Sequence, residues 1–345
     1  MSVSKEIRVG LIGYGFAAKT FHVPLMAAVP SMKLVAVSSS DPSKVHADIP
    51  DVTVVADPYA LTSMDGIDLV VIASPNQTHA PLTKAALLAA KDVVCDKPFT
   101  VDLSQAKELE AIAEQTGRLL SVFHNRRWDS DFLGVKNLIA DNRLGRVTHF
   151  ESTFDRFRPV VQDRWREETG PGAGLWFDLG PHLVDQALQL FGLPGRVLAS
   201  LAELRDGAKT DDWFHVIMEY DGLRVILRGS MLSAGGANRF IVHGERGTLV
   251  KRLPDQQEGQ LKAGIKPGSP NWGRDPDPIL RYENDLPSVE IATPSGDQSL
   301  FYRAVADAIH GKAQNPVPPV EAIAVMAIIE AAKKSAVDGC AIIPS

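Results

Sequence analysis

The sequence predicts two domains, an α/β domain with a parallel sheet followed by an α+β domain with a mostly antiparallel sheet. The chain has 345 residues, which is about two domains at roughly 150 residues each. Its first third alternates short β-branched runs with stretches of helical periodicity, as in parallel sheets whose strands are joined by helices. After His124 the pattern changes to strands joined by tight turns, which favours antiparallel pairing. We therefore predict domains over residues 1–123 and 124–345.

Short apolar runs and helical spacing define the elements of the first domain. Strands are predicted over Ile7–Ile12, Lys33–Ser38, Val52–Val55, Asp68–Ala73, Asp92–Cys95 and Leu119–His124. Helices are predicted over Phe16–Val29, Thr78–Ala90 and Leu103–Gln115. Asp102 and Ser104 are candidate N-caps of the third helix, and Gly117 is its candidate C-terminal stop.

The second domain is predicted to begin with helices and to continue as a sheet. Helices are predicted at about Ser130–Asp141 and Asp178–Leu190, with closing helices over Gln298–His310 and Val320–Ala336. Strands are predicted over Val147–Phe154, Arg196–Leu204, Phe214–Tyr220, Leu223–Ser230, Phe240–Gly244 and Gly247–Val250. Tyr220-Asp-Gly222-Leu indicates a hairpin turn. The segment Leu253–Pro287 is rich in Pro, Gly, Asp and Gln, which predicts a long irregular loop.

Composition argues against several classes of function. The 36 basic and 42 acidic side chains give a net charge of −6, so there is no basic excess to bind a nucleic-acid backbone. Two cysteines, Cys95 and Cys340, fit a reducing compartment. The N-terminal residues lack the pattern of a signal peptide, and Ala322–Ile329 is far shorter than the ~20 residues of a membrane helix. We expect a cytoplasmic enzyme with neither a nucleic-acid nor a membrane partner.

A glycine-rich turn follows the first predicted strand. In Gly13-Tyr14-Gly15-Phe16-Ala17-Ala18, Gly13 permits the tight turn and Gly15 lets the backbone approach a pyrophosphate at the start of the helix. The pattern is specific because it lies at the first strand-helix junction of an alternating chain. We predict that Gly13, Gly15, Phe16 and Ala17 bind a dinucleotide.

The end of the second predicted strand favours NADP over NAD. An NAD site usually has an acidic residue there for the ribose hydroxyls, whereas this strand ends in Ser38, Ser39 and Ser40. These hydroxyls and Lys44 can hold a 2′-phosphate that a carboxylate would repel. In the alternative, the serines only begin a turn and Asp41 reaches the ribose, as in NAD enzymes.

Three residues are candidates for the chemistry. Lys97 follows the fifth predicted strand, where open α/β sheets bind ligands, and can stabilise a negatively charged oxygen. Asp178 and His182 are four residues apart, so they share one helix face and can form a carboxylate-oriented general base. Taken alone, Lys97 is better explained as a solvated turn residue, and Asp178 is equally an N-cap beside an ordinary histidine. Neither cysteine nor histidine spacing indicates a metal site.

Four motifs together resemble the Gfo/Idh/MocA oxidoreductase family over nearly the whole chain. They are Gly13–Ala18, Ser74-Pro75-Asn76-Gln77-Thr78-His79, Asp96-Lys97-Pro98 and Gly172-x-Gly174-x-x-x-Asp178-x-Gly180-x-His182-x-x-Asp185. The resemblance implies a Rossmann domain, a second domain with a large open sheet often used for oligomerisation, and hydride transfer between NAD(P) and a sugar or cyclitol hydroxyl. It also implies that Lys97, Asp178 and His182 are the catalytic group.

The resemblance assigns further residues to the cofactor. Ser74, Pro75, Asn76 and His79 would lie beside the nicotinamide half. The family tripeptide usually begins with Glu, and here Asp96 stands in its place, so its contact with the cofactor is in doubt. Residues 37–41, 124–132 and 164–167 are most similar to the branch with NADP-dependent scyllo-inositol dehydrogenases, which implies a polyol substrate and a homodimer or homotetramer.

Further polar residues are candidates for substrate binding. Asn125, Arg127 and Asp155 can supply the hydrogen bonds that a hydroxyl-rich ligand needs. Trp165 and Arg166 are predicted to touch the cofactor, although such an Arg-Trp cluster is equally typical of a surface clamp. Two other functions remain open: a non-catalytic dinucleotide sensor, which tends to lose the lysine and histidine, and a glycosidase that uses a tightly held NAD.

Overall fold

The computed structural model describes residues 5–345, which form two compact units. The first unit contains the described residues up to Asn125 together with Gln257–Trp272 and Asp297–Ile323. The second contains Arg126–Gln256, Gly273–Gly296 and Ala324–Ser345. Two segments of the C-terminal half, beyond the predicted boundary after residue 123, thus complete the first unit.

The strands and helices follow one another along the whole described chain. The strands are β1 (Ile7–Ile12), β2 (Met32–Ser38), β3 (Thr53–Val55), β4 (Leu69–Ile72), β5 (Asp92–Cys95), β6 (Leu120–Val122), β7 (Val147–Asp155), β8 (Arg196–Ala202), β9 (Trp213–Tyr220), β10 (Leu223–Ser230), β11 (Phe240–Gly244), β12 (Gly247–Lys251), β13 (Ile279–Tyr282) and β14 (Val289–Ile291). The helices are α1 (Val23–Ala27), α2 (Pro42–His46), α3 (Pro58–Thr62), α4 (His79–Leu88), α5 (Leu103–Thr116), α6 (Ser130–Ala140), α7 (Leu175–Phe191), α8 (Gln257–Lys262), α9 (Ser299–Ile309) and α10 (Pro319–Asp338).

The sheet of the first unit confirms the predicted parallel α/β domain. Its six strands lie in the order β3-β2-β1-β4-β5-β6, and every neighbouring pair is parallel. The strand order reverses at β1, so the ends of β1 and β4 form the crevice where such sheets bind ligands. Asp102 caps α5 by accepting a hydrogen bond from the backbone of Gln105, and Gly117 ends it in the left-handed conformation.

The sheet of the second unit is large and mostly antiparallel, as predicted. Its eight strands lie in the order β14-β13-β12-β11-β7-β10-β9-β8, and only one neighbouring pair, β7–β10, is parallel. The predicted hairpin joins β9 to β10, with Tyr220 paired to Leu223. Along β10 buried residues alternate with more exposed ones, and α7 packs against β7, β9 and β10. One face of the sheet therefore supports α7.

Several predicted elements were wrong in detail. The first predicted helix contains a π-helical turn over Ala18–His22 before α1. The short helices α2 and α3 were not predicted. The predicted loop Leu253–Pro287 contains α8 and β13, because pairing of β13 with β12 overrides a turn-rich composition. No helix among residues 5–345 combines the length and apolar character needed to cross a membrane.

Candidate active site

The glycine-rich turn after β1 requires its first glycine. Gly13 has φ +91°, and a Cβ there would lie 2.7 Å from the carbonyl oxygen of Ala73, so an L-residue would be strained and would clash. At Gly15 no atom lies within 4 Å of an added Cβ. Both observations fit a backbone that approaches a bound phosphate closely.

One cavity of the first unit contains much of the predicted cofactor site. It encloses about 470 Å³. Its lining includes eight of the predicted residues: Gly13, Gly15, Ser38, Ser39, Ser40, Lys44, Ser74 and Pro75. The structure thus brings together the ends of β1, β2 and β4, which are separated in sequence. Phe16 is 55% exposed, packs edge-to-face on Phe21, and Ala17 precedes the π-helical turn.

The side chain of Asp41 is engaged in capping a helix. It accepts hydrogen bonds from the Ser43 hydroxyl at 2.5 Å and from the backbone N–H of Lys44 at 3.2 Å, at the start of α2. These hydrogen bonds and the charge of Lys44 lower the pKa of the Asp41 carboxyl. Ser39 also turns toward this residue, since its hydroxyl accepts the Asp41 N–H at 3.2 Å. The acidic group nearest the end of β2 therefore caps α2 through Oδ1, and the same residue lines the cavity.

The turn after β5 presents Lys97 on a fixed backbone. The Asp96 N–H donates to the carbonyl of Ile72 in β4, and the Asp96 carboxylate accepts the Lys97 N–H at 2.7 Å. The Lys97-Pro98 peptide bond is cis. Burial raises the pKa of Asp96, but its contact with His22 and the charges of Lys97 and His79 outweigh burial and bring it to about 2. A negatively charged carboxylate therefore stands directly before the candidate catalytic lysine.

His79 joins the two loops of the predicted nicotinamide site. Its Nδ1 lies 2.8 Å from the carbonyl of Pro98 and its Nε2 lies 3.0 Å from the carbonyl of Ser74. Burial lowers the pKa of His79, although the Asp96 charge and the two carbonyls oppose this. Both ring nitrogens thus face protein carbonyls, and His79 positions the Ser74–Pro75 loop and the Lys97-Pro98 turn. Asn76, buried in the same loop, begins a short 3₁₀ turn.

In the second unit, helix α7 begins at a crowded glycine. Gly174 has φ +92°, and a Cβ there would lie 2.1 Å from an oxygen of Asp211. Asp211 receives the first N–H groups of α7, with its carbonyl accepting from Leu175 at 2.8 Å and its carboxylate from Trp176 at 2.6 Å. Burial raises the pKa of Asp211 to about 6, against the hydrogen bond from Trp176. A residue 35 positions downstream therefore caps the helix that carries Asp178 and His182.

Two arginines flank Asp178 in the first turn of α7. Arg156 Nη1 lies 3.1 Å from Asp178 Oδ2, and Arg166 Nε lies 3.9 Å from Oδ1. Arg166 also stacks on the ring of Trp165 at 4.8 Å, and Trp165 itself is 40% exposed. Beside Asp178 lies a cavity of about 20 Å³, which has room for one water. The sequence predicted Arg166 at the cofactor and did not predict that it lies near Asp178. Arg156 was missed, because no local pattern relates Arg156 to a carboxylate 22 residues away.

His182 and Asp185 follow Asp178 on the same face of α7. His182 is 6% exposed. Asp185 receives two hydrogen bonds from Arg127, from Nε at 2.9 Å and from Nη2 at 2.5 Å. In this buried, bidentate pair the Arg127 guanidinium holds α7. The Arg127 guanidinium is thus already bound to Asp185. Its predicted contact with a substrate stays a prediction.

A buried arginine also holds α7, through Gln186 one turn after His182. Arg239 is 1% exposed and donates hydrogen bonds to Asp131 at 3.0 Å, Ser152 at 2.6 Å and Gln186 of α7 at 2.6 Å. A buried guanidinium is tolerated only when its donors are satisfied in this way. The network ties α7 to α6 and β7, so the register of Asp178 and His182 is determined by the core of the unit.

The other two predicted substrate residues lie in different units. Asn125, at the end of the first segment of the first unit, donates its amide N–H to Gln298 at 3.0 Å. Asp155, at the end of β7 in the second unit, accepts a hydrogen bond from the Ser233 hydroxyl at 3.0 Å. Their contact with a substrate stays a prediction. Among residues 5–345, no group of three or more His, Cys, Asp or Glu side chains is arranged to hold a metal ion.

Comparison with known families decides which chemistry this fold supports. The NAD-binding Rossmann fold of the Gfo/Idh/MocA oxidoreductase family matches residues 7–124, and the C-terminal alpha/beta domain of the same family matches residues 136–342. The chain belongs to the Gfo/Idh/MocA family. It is an NAD(P)-binding oxidoreductase, which confirms the predicted enzyme class.

Individual relatives of this family cover almost the full chain. The uncharacterized oxidoreductase YdgJ of Escherichia coli strain K12 is 54% identical over 97% of each chain. The scyllo-inositol 2-dehydrogenase (NADP(+)) IolW of Bacillus subtilis strain 168 is 36% identical, over 95% of this chain and 93% of its own. A solved structure from Klebsiella pneumoniae, 54% identical, covers 99% of this chain and 96% of its own with a TM-score of 0.94.

Proposed function

We propose that this Gfo/Idh/MocA protein is an NADP-dependent dehydrogenase that acts on a hydroxyl or keto group of a cyclitol or sugar. The observation that carries the proposal is the cavity of about 470 Å³, which places Ser38, Ser39, Ser40 and Lys44 beside the glycine-rich turn. Similarity to an NADP-dependent scyllo-inositol dehydrogenase supports the substrate class.

The residues of the first unit fit an NADP molecule. The turn at Gly13 and Gly15 would hold the pyrophosphate at the start of the helix, because both glycines line the cavity and no side chain stands at Gly15 to keep a phosphate away. The serine hydroxyls and the Lys44 ammonium would hold the 2′-phosphate. Asp41 lines the same cavity and caps α2 through Oδ1 alone, so the preference for NADP rests on the serine hydroxyls and Lys44. Ser74, Pro75 and Asn76 would line the nicotinamide half.

The catalytic roles proposed for Lys97, Asp178 and His182 follow from their chemistry. When bound, NADP supplies the hydride acceptor at the nicotinamide ring, and NADPH the donor. During oxidation His182 takes the proton of the substrate hydroxyl, and in reduction it returns that proton. The Lys97 ammonium stabilises the negative charge that develops on the substrate oxygen. Asp178, held by Arg156, stabilises the protonated His182.

A coenzyme and substrate screen tests the proposal. Scyllo-inositol, myo-inositol, their ketones and common aldoses are incubated with NADP(H) or NAD(H), and absorbance of the reduced nicotinamide is followed. We expect turnover with at least one cyclitol or sugar, and about tenfold or higher kcat/KM with NADP than with NAD. Nicotinamide binding with no turnover of any of these compounds would contradict the proposed reaction.

Ser39→Asp tests the proposed 2′-phosphate site. The new carboxylate lies where the phosphate would bind, so we expect the KM for NADP to rise by about tenfold or more while that for NAD changes little. Gln115→Glu is the matched control, since it adds the same charge at an exposed position of α5 outside the cavity. Equal coenzyme preference in the two variants would place the phosphate elsewhere.

The predicted homodimer or homotetramer is proposed on the family resemblance alone. Light scattering coupled to size-exclusion chromatography measures the subunit number directly. A monomer of 37.3 kDa at micromolar concentration would contradict it.

A further inference from the structure

A buried histidine, His22, contacts Asp96, and a buried tyrosine, Tyr302, contacts that histidine. Neither residue belongs to the predicted site. His22 ends the π-helical turn and Tyr302 lies in α9, and both side chains are fully buried. His22 Nδ1 is 2.5 Å from the Tyr302 hydroxyl oxygen. His22 Nε2 is 3.5 Å from Asp96 Oδ2. The three residues, all in the first unit, form a line that ends one residue before Lys97.

The chemistry of this line determines its proton positions. A carboxylate only accepts hydrogen bonds, so the Nε2 that faces Asp96 carries a proton. Burial, together with the charge of Asp96, raises the pKa of Tyr302 well above its ordinary value, so its hydroxyl keeps its proton. The Tyr302 O–H then donates to His22 Nδ1, while Nε2–H faces Asp96 Oδ2 at 3.5 Å, an electrostatic contact longer than a hydrogen bond. The Asp96 carboxylate thus selects the tautomer of the imidazole, and the Tyr302 hydroxyl binds the nitrogen that this tautomer leaves without a proton.

Packing fixes the histidine ring in this orientation. The ring of Phe123 lies 4.2 Å from that of His22, at an interplanar angle of 38°. Phe123 also contacts Tyr302 at 5.7 Å and meets Phe301 edge-to-face at 5.0 Å. The rings of Phe123, directly after β6, and of Tyr302 in α9 therefore restrict rotation of the His22 ring. Its two nitrogens face the Tyr302 hydroxyl and the Asp96 carboxylate.

Asp96 connects His22 to the backbone of Lys97. One carboxylate oxygen faces His22, and the other accepts the backbone N–H of Lys97 at 2.7 Å. On the opposite side of the turn, His79 contacts the carbonyl of Pro98 at 2.8 Å. The peptide that carries Lys97 is thus held from two sides, and a rotation of the Asp96 carboxyl would release one of them.

We propose that Tyr302 and His22 are positioning residues for Lys97. Tyr302 holds the His22 ring through Nδ1, His22 keeps the Asp96 carboxylate in the rotamer that binds the Lys97 N–H, and this orients the ammonium toward the reacting oxygen. The proposal deepens the dehydrogenase function proposed above and rests on it for its kinetic consequence. Its structural consequence, a His22 Nδ1 that accepts the Tyr302 hydroxyl, is independent of any substrate.

Tyr302→Phe is the most direct test because it removes one oxygen from a buried ring. In the protein without coenzyme, ¹⁵N NMR of the imidazole nitrogens is expected to show the Nε2–H tautomer of His22 in both proteins, with the Nδ1 signal shifted in the variant because Nδ1 loses the Tyr302 hydrogen bond. Reductive methylation with ¹³C-formaldehyde labels the lysines, and the Lys97 signal is identified by its loss in Lys97→Arg. We expect that signal to shift in Tyr302→Phe.

Kinetic measurements then distinguish an effect on the position of Lys97 from a general loss of folding stability. We expect kcat to fall about tenfold in Tyr302→Phe with the KM for NADP unchanged. Tyr220→Phe is the matched control, because the Tyr220 hydroxyl donates to the carbonyl of Gly192 at 2.9 Å in the second unit. Both variants lose one tyrosine hydrogen bond, so a similar fall in Tm is expected, and only Tyr302→Phe should change kcat.

A pair of substitutions at His22 gives a second, independent test. In His22→Gln the amide oxygen can accept from Tyr302 while the amide N–H₂ donates to Asp96, whereas His22→Leu fills similar space without either bond. Positioning predicts that Gln retains several-fold more activity than Leu. An unchanged His22 Nδ1 signal in Tyr302→Phe, or a Leu variant as active as the Gln variant, overturns the proposal. If the wild type turns over no substrate, the NMR measurements still decide it, and only the proposed reaction fails.

Discussion

The two candidate catalytic regions are stabilised in different ways. The turn with Lys97 is held by buried groups, with the carbonyl of Pro98 contacting His79 and the Lys97 N–H bound to Asp96. Asp178 is flanked by Arg156 and Arg166, whose side chains are 27% and 32% exposed. Buried hydrogen bonds respond to packing, whereas partly exposed ion pairs respond to salt. The position of Lys97 therefore depends on the geometry of buried hydrogen bonds, whereas the ionised state of Asp178 depends on the charges of Arg156 and Arg166.

The largest expected effect is the loss of turnover when either region loses its reactive group. Lys97→Met and His182→Ala are expected to lower kcat by about a thousandfold, because proton transfer and charge stabilisation each contribute about 10²–10⁴. NADPH binding, measured by fluorescence, should persist in both. Lys107→Met, at an exposed position of α5, controls for loss of a lysine. Near-normal activity in both catalytic variants would refute the proposed roles of Lys97 and His182.

The two arginines beside Asp178 are expected to differ from each other. Arg156→Met should lower kcat/KM by about 10–100-fold, because it removes a charge-assisted hydrogen bond at 3.1 Å. Arg166→Met should cost less, since that guanidinium lies 3.9 Å away. The Arg156→Met defect should shrink in about 0.5 M salt, where the pair is already screened, while the Tyr302→Phe defect should not change. A larger loss for Arg166→Met would contradict this ranking.

The smallest expected effect is a change in the pH dependence of stability at the start of α7. The folded pKa of Asp211, about 6, lies above the ordinary aspartate value of 3.8, so folding disfavours its ionised form. The free energy of unfolding contributed by this group should therefore fall as pH rises from about 4 to about 6, and stay level above. Allowing for partial exposure, the change is about 1 kcal/mol.

Asp211→Asn isolates that contribution. The amide oxygen still accepts the Trp176 N–H but does not titrate, so urea unfolding should show a smaller loss of stability between pH 4.5 and 7 than in the wild type. Asp206→Asn, at an exposed position of the same connection, should leave the wild-type slope unchanged. Identical slopes for all three proteins would mean that Asp211 ionises in the fold as freely as in the unfolded chain.

Many elements were predictable because their signals are local. The bounds of β1, β5, β10 and β11 agree with those predicted, since each is a short apolar run between turn residues. The N-cap at Asp102 and the stop at Gly117 depend only on neighbours within one helical turn. The glycine-rich turn and the order of the four motifs were equally visible, and they indicated the family that the comparisons confirmed.

The missed elements depend on distant partners. Strand β13 forms in a segment rich in Pro and Asp because β12 offers it a register, with Tyr282 paired to Thr248. Helix α8 lies in the same segment and packs against the π-helical turn of the first unit. Neither partner can be found from composition, since a backbone hydrogen bond carries no sequence signature of the residue across the sheet.

The sequence by itself determined which chemical groups this oxidoreductase has and where the chain places them along its strands and helices. Periodicity, glycine positions and turn residues act over a few positions, so they can be recognised in the sequence without knowing which distant segments pack against them. The tertiary structure alone decided the partners of those groups. It placed His22 against Tyr302, 280 residues away, turned both nitrogens of His79 to carbonyls, and set Arg156 beside Asp178. Buried polar groups must find hydrogen bonds wherever the folded chain provides them, and only packing of distant segments determines where that is.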